Sequence, residues 1–408
     1  MANARLSFEL RKETRESIVS QFWGQYMQSI SSDILKERWI AEQEGILKDY
    51  FKYYHDQVAI QDPLRSPGTL KTHKELFFFT DLLKQNADIP RTELTAACEM
   101  VYGSRPYSGC VMLTEGLRNL LARCSRAGRR INFDSALALA VRVLFAVNIP
   151  STSQPRRNRM VVGQSNLVWA GRYSLREFLD DTFPMSEQTL GSGLVKIKRT
   201  KLRARFLENH ADIEIEWTKH LPDHLKLETT GNRKILQIFE LVSFLQVSYN
   251  ATCAEDFNLP TSESIRLGCY RPRFLWETLK TMQLLFPPGD WNWLKSKKEN
   301  YKQLRCHFED WHGKDVNLRA LTGAQLLRTY PYWAVRLEIL YQEAEDPTPV
   351  SCLGRWAERR KAAWHSYLVA FWAIVIAVFF GLAATALSAV QTWITYQAWK
   401  HPINSSQT

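Results

Sequence analysis

The chain has 408 residues and a formal net charge of +11. Hydrophobic residues make up 45% and charged residues 23%, a composition that excludes a disordered, highly charged tail. The basic balance favours an anionic partner, either nucleic acid or anionic lipid. The seven cysteines are scattered without a C-x-x-C pair, so we expect free thiols in a reducing compartment rather than a disulfide framework.

The N-terminal half shows helical spacing of apolar residues. It has no apolar core of signal-peptide length at its start, which predicts a body that stays in the cytosol. Two long helices are expected over 8–58, and a helix, a turn and a second helix over 69–102. A helix-turn-helix can bind DNA, although a hairpin packing against a core is the favoured interpretation. The segment 136–147 is apolar on nearly all sides except at Arg142, which predicts a central core helix.

A loop and a Ser/Gly-rich break over 151–193 suggest a linker, and Ser174 with Glu177 predicts a capping box within it. A basic helix is expected over 196–209. The residues 213–217 alternate apolar and acidic side chains, as a half-exposed strand does, and 225–227 is expected to pair with a segment near Ile235. A basic helix followed by a small hairpin is the outline of a winged helix.

Helical spacing returns over 235–245, 274–286 and 321–344, the last interrupted at Pro331. The predicted fold class is therefore mainly α: a helical body with a small β-hairpin and one C-terminal transmembrane helix. The predicted organisation is a helical N-terminal domain, a linker, an α-rich domain, a basic juxtamembrane segment, a transmembrane helix and a short tail, at 1–150, 151–193, 194–346, 347–366, 367–390 and 391–408.

The residues 367–390 are the strongest functional signal in the sequence. They contain 24 residues without a charge, enough to cross the roughly 30 Å hydrocarbon core of a bilayer as a helix. Aromatic residues lie near both ends, as is typical of membrane interfaces. The membrane-spanning prediction is represented by Tyr367, Phe371, Ile374, Phe379, Leu382 and Val390.

The charges beside this segment predict its orientation. Arg355, Arg359, Arg360 and Lys361 precede it, whereas Lys400 is the single Lys or Arg that follows. The positive-inside rule then places the body in the cytosol and the tail outside or in a lumen. In that arrangement Asn404, in an Asn-Ser-Ser sequon, is a candidate glycosylation site, and Asn250 in the body is not modified.

A second basic group marks a candidate contact with phosphate or lipid. It comprises Lys196, Lys198, Arg199, Lys201, Arg203 and Arg205. Further arginines lie over 123–130 and 156–159. For all three groups a solvated surface is the favoured interpretation, with a membrane surface next and nucleic acid last.

No catalytic residue is predicted, and no cofactor or metal. His220 and His224 have the i, i+4 spacing of helical metal ligands, but Pro222 lies between them and a packing or surface role is favoured. Cys306, His307 and His312 lack a second ligand pair at zinc-finger spacing. The pair Asp180 and Asp181 is interpreted as a solvated face.

Four segments give the C-terminal half a resemblance to a known group. They are IEIEWTKHLPDHLKL at 213–227, FLWETLKTMQLLFP at 274–287, YWAVRLEILYQEAED at 332–346 and RWAERRKAAW at 355–364. In these segments, and in their order, the chain resembles an uncharacterised family of fungal single-pass membrane proteins with a helical cytosolic body. The resemblance implies a shared fold and topology, and no activity.

The sequence therefore predicts a membrane-anchored scaffold or interaction protein without enzymatic activity, whose body binds another protein at the membrane. The alternative is a membrane-tethered nucleic-acid-binding protein that uses the helix-turn-helix or winged-helix elements. A third class is an enzyme whose site is assembled from distant residues, which a pocket with convergent polar groups would support.

Overall fold

The chain divides into two compact units, Met1–Pro347 and Thr348–Thr408. The computed structural model describes the following residues: Leu6, 10–24, 33–59, 68–149, 167–186, 196–230, 233–252, 256–287, Asp290, Trp293, 321–348 and 361–400. All structural statements below refer to these residues.

The first half of the larger unit is helical, as predicted. Its helices are α1 Lys12–Trp23, α2 Asp33–Ile46, α3 Lys48–Ala59, α4 His73–Gln85, α5 Arg91–Tyr102, α6 Glu115–Arg126, α7 Phe133–Phe145 and α8 Leu175–Thr182. The segment predicted as two helices over 8–58 forms three. The predicted capping box at the start of α8 is confirmed, with Ser174 accepting from the backbone of Glu177 and Glu177 accepting from Ser174 in return.

Helix α7 is the centre of the body, which confirms the prediction of a core helix. Every side chain on it except Asp134 is buried. Three carbonyls in its last turn accept hydrogen bonds from tyrosine hydroxyls, and the Arg142 carbonyl also accepts from the N–H of Ala146, the residue after the helix. Tyr53 bonds to Arg142 at 2.9 Å, Tyr50 to Val143 at 2.7 Å and Tyr270 to Phe145 at 2.6 Å. The tyrosines come from α3 and from a distant part of the chain, so these bonds fix the helix end to both.

The second half of the larger unit combines short strands with helices. Its elements are β1 Lys196–Ile197, a 3₁₀ turn Arg199–Leu202, α9 Ala204–Ala211, β2 Ile213–Thr218, a 3₁₀ turn Leu221–Asp223, β3 Lys226–Thr230, β4 Arg233–Phe239, α10 Val242–Thr252, α11 Thr261–Arg266, α12 Pro272–Leu285, β5 Leu321–Thr322, α13 Gly323–Thr329 and α14 Ala334–Glu345. Pro331 separates α13 from α14, as predicted. The segment expected as one basic helix over 196–209 instead contains a strand, a 3₁₀ turn and α9.

A three-stranded sheet has the order β2-β4-β3. The predicted hairpin is confirmed, because β3 runs antiparallel to β4 with Leu227 opposite Leu236. The alternating strand at 213–217 is confirmed as well, but it lies parallel to β4, with Ile215 also opposite Leu236. The prediction of helix from 235 is wrong over its first residues. Because β4 is the central strand and is buried on most of its length, its apolar run imitates helical spacing.

One hydrophobic core joins side chains from before and after the predicted linker. Tyr50 of α3 stacks on Phe244 of α10 at 5.4 Å between ring centroids. Trp23 of α1 packs against the same phenylalanine and donates its indole N–H to Ser248 at 3.1 Å. The body is therefore mainly helical with a small sheet, which confirms the predicted fold class.

Candidate functional site

The second unit contains a long exposed helix, α15, Lys361–Lys400. At about 1.5 Å per residue its 40 residues extend about 60 Å, longer than the hydrocarbon core of a bilayer. Within it, the 32 residues Val369–Lys400 are apolar enough to cross a membrane, and none of their most apolar window is buried. A core helix of a soluble protein would bury a face. This helix covers the predicted span 367–390 and continues past it.

Five of the six predicted spanning side chains are described, and all five are exposed. Phe371 is 61% exposed, Phe379 68% and Leu382 66%, and Ile374 and Val390 are also exposed. Tyr367 lies in the helix. Such exposure of large apolar groups to water is unfavourable, at roughly 25 cal/mol per Å², and lipid would remove it.

Three threonine hydroxyls along α15 form hydrogen bonds within the helix. The hydroxyls of Thr385, Thr392 and Thr395 each donate to a backbone carbonyl one turn earlier, at 2.8–2.9 Å. Hydroxyls bonded in this way add little cost in lipid. Beyond 390 the exposed Trp393, Tyr396 and Trp399 are suited to an interface, and the Lys400 ammonium lies 5.8 Å from the Tyr396 ring.

The charges that predict orientation lie mostly outside the described residues. This applies to Arg355, Arg359, Arg360 and the candidate glycosylation site Asn404, while Lys361 is the first residue of α15. Asn250, in the second sequon, is exposed on α10. Because Asn250 is accessible, a glycan on it would indicate a luminal or external body, and its absence is expected for a cytosolic body.

The basic group predicted to contact phosphate or lipid is largely occupied within the fold. Lys201 forms an ion pair with Glu345 at 2.8 Å. Arg203 and Arg205 lie 4.0 and 3.7 Å from the carboxylate of Asp290, which is nearly buried. Of the remaining members, Arg199 is half-buried and Lys198 is exposed, while Lys196 lies in β1. Half of the group therefore forms ion pairs within the body, and less of its positive charge is available to a phosphate or lipid.

The helix-turn-helix candidate, α4 and α5, is part of the body, where α4 packs mainly against α7 and α5 mainly against α6. Arg91, the basic residue at the start of α5, is buried and forms an ion pair with Asp134 at 3.0 Å. The exposed face of α5 carries Glu93 and Glu99. Acidic residues on a recognition helix would repel phosphate, so this surface offers little to DNA.

The histidine pair has a packing role. His220 and His224 are 2% and 0% exposed and flank a 3₁₀ turn rather than lying on a helix. His224 exchanges a hydrogen bond with Thr281 at 2.8 Å, and its other ring nitrogen accepts from the backbone of Phe239. Burial and, to a smaller extent, the nearby Arg336 together lower its pKa to about 3, so the ring is neutral. Among the described residues no group of three or more His, Cys, Asp or Glu side chains is placed to hold a metal ion.

Two other predicted features have different outcomes. Asp180 was interpreted as part of a solvated face, but it accepts from Thr261 at 2.6 Å and pairs with Arg271 at 3.2 Å, which joins α8 to the segment before α12. Cys98, Cys110, Cys124 and Cys269 are free thiols, as expected. The group Cys306, His307 and His312 lies outside the described residues.

Sequence reasoning missed a buried carboxyl, Glu277 on α12. One of its oxygens accepts from the backbone N–H groups of Tyr332 and Trp333, both at 2.8 Å, at the start of α14. Burial raises its pKa to about 8, against the lowering effect of those two donors. A signal was present: Glu277 follows Phe274 by three residues and precedes Thr281 by four, which places it on the buried face of the helix.

A cavity of about 570 Å³ lies beside the start of α14. Its polar lining includes Tyr332 and Arg336, and Phe183 and Trp333 supply aromatic surface. The Arg336 guanidinium donates to the carbonyls of Pro222 and His224 and covers the Trp333 ring, so it braces the fold. The lining does not bring together an acid, a base and a nucleophile, and it gives the enzyme hypothesis no support.

Comparisons with known proteins add no relative: no protein-family model, curated protein or solved structure matches this chain.

Proposed function

We propose that this chain is a single-pass membrane protein whose helical body lies in the cytosol and binds another protein at the membrane surface. The observation that carries the proposal is α15, a helix long and apolar enough to span a bilayer, whose large apolar side chains from Val369 onwards are exposed. The charges at 355–361 support the cytosolic placement of the body. The resemblance to single-pass membrane proteins with a helical cytosolic body agrees with this topology.

The nucleic-acid alternative has less support. Three of the six basic residues named at 196–205 are engaged in ion pairs, and the exposed face of α5 carries Glu93 and Glu99. A protein-binding role needs no dense, free positive surface, and so it is more consistent with the charges of the body.

Carbonate extraction of isolated membranes tests the anchor. The full chain is expected to stay in the membrane pellet. An arginine at the centre of a spanning helix costs roughly 2.5–3.5 kcal/mol, so the double variant Ile374→Arg, Leu382→Arg is expected to move to the soluble or aggregated fraction. Gln391→Arg, just beyond the apolar run, is the matched control and should remain in the pellet. A wild-type chain that extracts fully would refute the anchor.

Protease protection and glycosylation test the orientation. Added protease is expected to digest the body of the tagged protein in sealed membranes and to spare a C-terminal tag. Treatment with a glycosidase should leave the body unchanged in mobility, because a cytosolic Asn250 is never modified. A protected body or a glycan on Asn250 would reverse the proposed topology.

A further inference from the structure

A groove of about 900 Å³ lies between α1, α2 and α4. Its floor is apolar and includes Phe77, Phe78 and Ile40. Phe78 is held in place by Gly116 of α6, where an added Cβ would approach the ring to 2.4 Å. Phe77 is buried and packs against Phe22 of α1, so both rings of the floor are supported by the body.

The rim of the groove is acidic, although the protein as a whole is basic. Four carboxylates line it, those of Glu13, Glu16, Glu37 and Asp81, against one ammonium group, that of Lys74. Glu13 and Glu37 are exposed and form no ion pair with any described residue. In a chain of net charge +11, this concentration of negative charge creates a local field that attracts cations.

A cation already lies over an aromatic ring inside the groove. The Lys74 ammonium lies 5.9 Å from the centre of the Phe78 ring, within the range of a cation–π interaction. Burial raises the pKa of Asp81, although the Lys84 ammonium and a hydrogen bond from Gln21 act in the opposite direction, so its carboxylate is only partly solvated on the rim.

Helix α2, which forms one wall, is poorly covered by the body. Gln43 is its one buried residue, while Ile34 and Leu35 are 78% and 53% exposed. Large aliphatic groups left open beside a groove with an aromatic floor are typical of a surface that a partner covers.

We infer that the groove binds a segment of a partner protein that carries Lys or Arg side chains around an aliphatic or aromatic anchor. The cations would lie against the rim carboxylates and the anchor against Phe77 and Phe78. The inference rests on the proposed function, since it names the chemistry of the partner that the cytosolic body would bind.

The test uses the full chain in nanodiscs of zwitterionic lipid, with empty nanodiscs as the blank. The probe is a short fluorescent peptide with several arginines and one tryptophan. Two further peptides serve for comparison, one with glutamates in place of the arginines and one with alanine in place of the tryptophan. We expect saturable binding of the probe by fluorescence anisotropy, weaker binding of the alanine peptide and none of the acidic peptide.

The double variant Glu13→Gln, Glu37→Gln is expected to weaken probe binding about tenfold and to reduce its salt dependence. Both residues are exposed, so the variant should fold. The matched control is Glu42→Gln, Glu99→Gln, which removes two exposed carboxylates outside the groove and should bind as the wild type does. Equal binding by both double variants, equal binding of the alanine peptide, or no binding at all would overturn the inference.

The two experiments can refute the groove inference and the membrane anchor independently of each other. If the protein stays in the carbonate pellet but does not bind the probe, the anchor stands and the groove inference is wrong. If the protein is soluble, the anchor is wrong, and the same peptides added to the soluble chain still decide the groove.

Discussion

Glu277 is a single carboxyl whose ionisation opposes folding. Its pKa of about 8 in the folded body lies well above the value near 4.3 of an unfolded glutamate. Between these values the folded state holds the proton and the unfolded state has lost it. The contribution of Glu277 to the free energy of unfolding is therefore complete below about pH 4 and falls as the pH rises towards 8.

The variant Glu277→Gln should remove this pH dependence. Glutamine keeps a carbonyl oxygen for the N–H groups of Tyr332 and Trp333 and cannot ionise. We expect the free energy of unfolding of the wild type to decline relative to the variant between about pH 5 and pH 8, by an amount on the order of a few kcal/mol. Urea unfolding in non-ionic detergent, followed by tryptophan fluorescence, measures the difference. Parallel curves for the two proteins would show that Glu277 does not hold a proton in the folded body.

The histidine pair shows what residue spacing can and cannot predict. The sequence places His220 and His224 four residues apart with Pro222 between, which argues against a helix that carries both rings, and the structure places them on either side of a 3₁₀ turn. It gives no sign that both rings are buried, because their partners, Thr281 and the backbone amides of Asn148 and Phe239, come from distant parts of the chain. Spacing reports local geometry, whereas burial is decided by which elements pack together.

At the scale of elements, the end of α7 depends on the three tyrosine hydroxyls. Each bond to a neutral carbonyl stabilises the fold by about 1 kcal/mol, and the effect at Tyr53 is expected to be the smallest because the Arg142 carbonyl keeps its bond from the Ala146 N–H. Single Tyr→Phe changes at Tyr50, Tyr53 and Tyr270 should each lower the free energy of unfolding by about 1–2 kcal/mol in the same urea assay. Tyr173→Phe is the control, since that hydroxyl is bonded at the exposed surface, and it should have little effect. A loss as large at the control would mean that the bonds to α7 carry no special weight.

Elements with a solvated face were easier to predict than elements without one. The strand at 213–217 alternates apolar and acidic residues because one face is exposed, and the structure confirms it. The central strand β4 has a strand on either side and is mostly buried, so its sequence, RKILQIF, loses the alternation, and the pattern from Ile235 onwards predicts a helix. The parallel pairing of β2 with β4 joins segments on either side of β3, and such a pairing is set by tertiary packing rather than by any local pattern.

At the scale of the whole molecule, the core of the body is complete within the first unit. Among the described residues, the last buried hydrophobic side chain of that core is that of Ala344, before the boundary at Pro347. The body should therefore not need α15 in order to fold. A chain ending at Pro347, the boundary of the first unit, is expected to be a soluble monomer or small oligomer with the helical content of the body.

The matched control is a chain that ends at 320 and so lacks α13 and α14. It loses Trp333, which packs against His224 and donates its indole N–H to Thr278 at 2.9 Å, and it leaves the Glu277 carboxyl without its two backbone donors. A buried polar group without partners costs about 1–3 kcal/mol, in addition to the apolar surface that α14 no longer covers. Circular dichroism and urea unfolding should therefore show a cooperative transition for the chain ending at Pro347 and none for the shorter chain. If the longer chain also fails to fold, the body depends on residues beyond 347, and the division into two independent units is wrong.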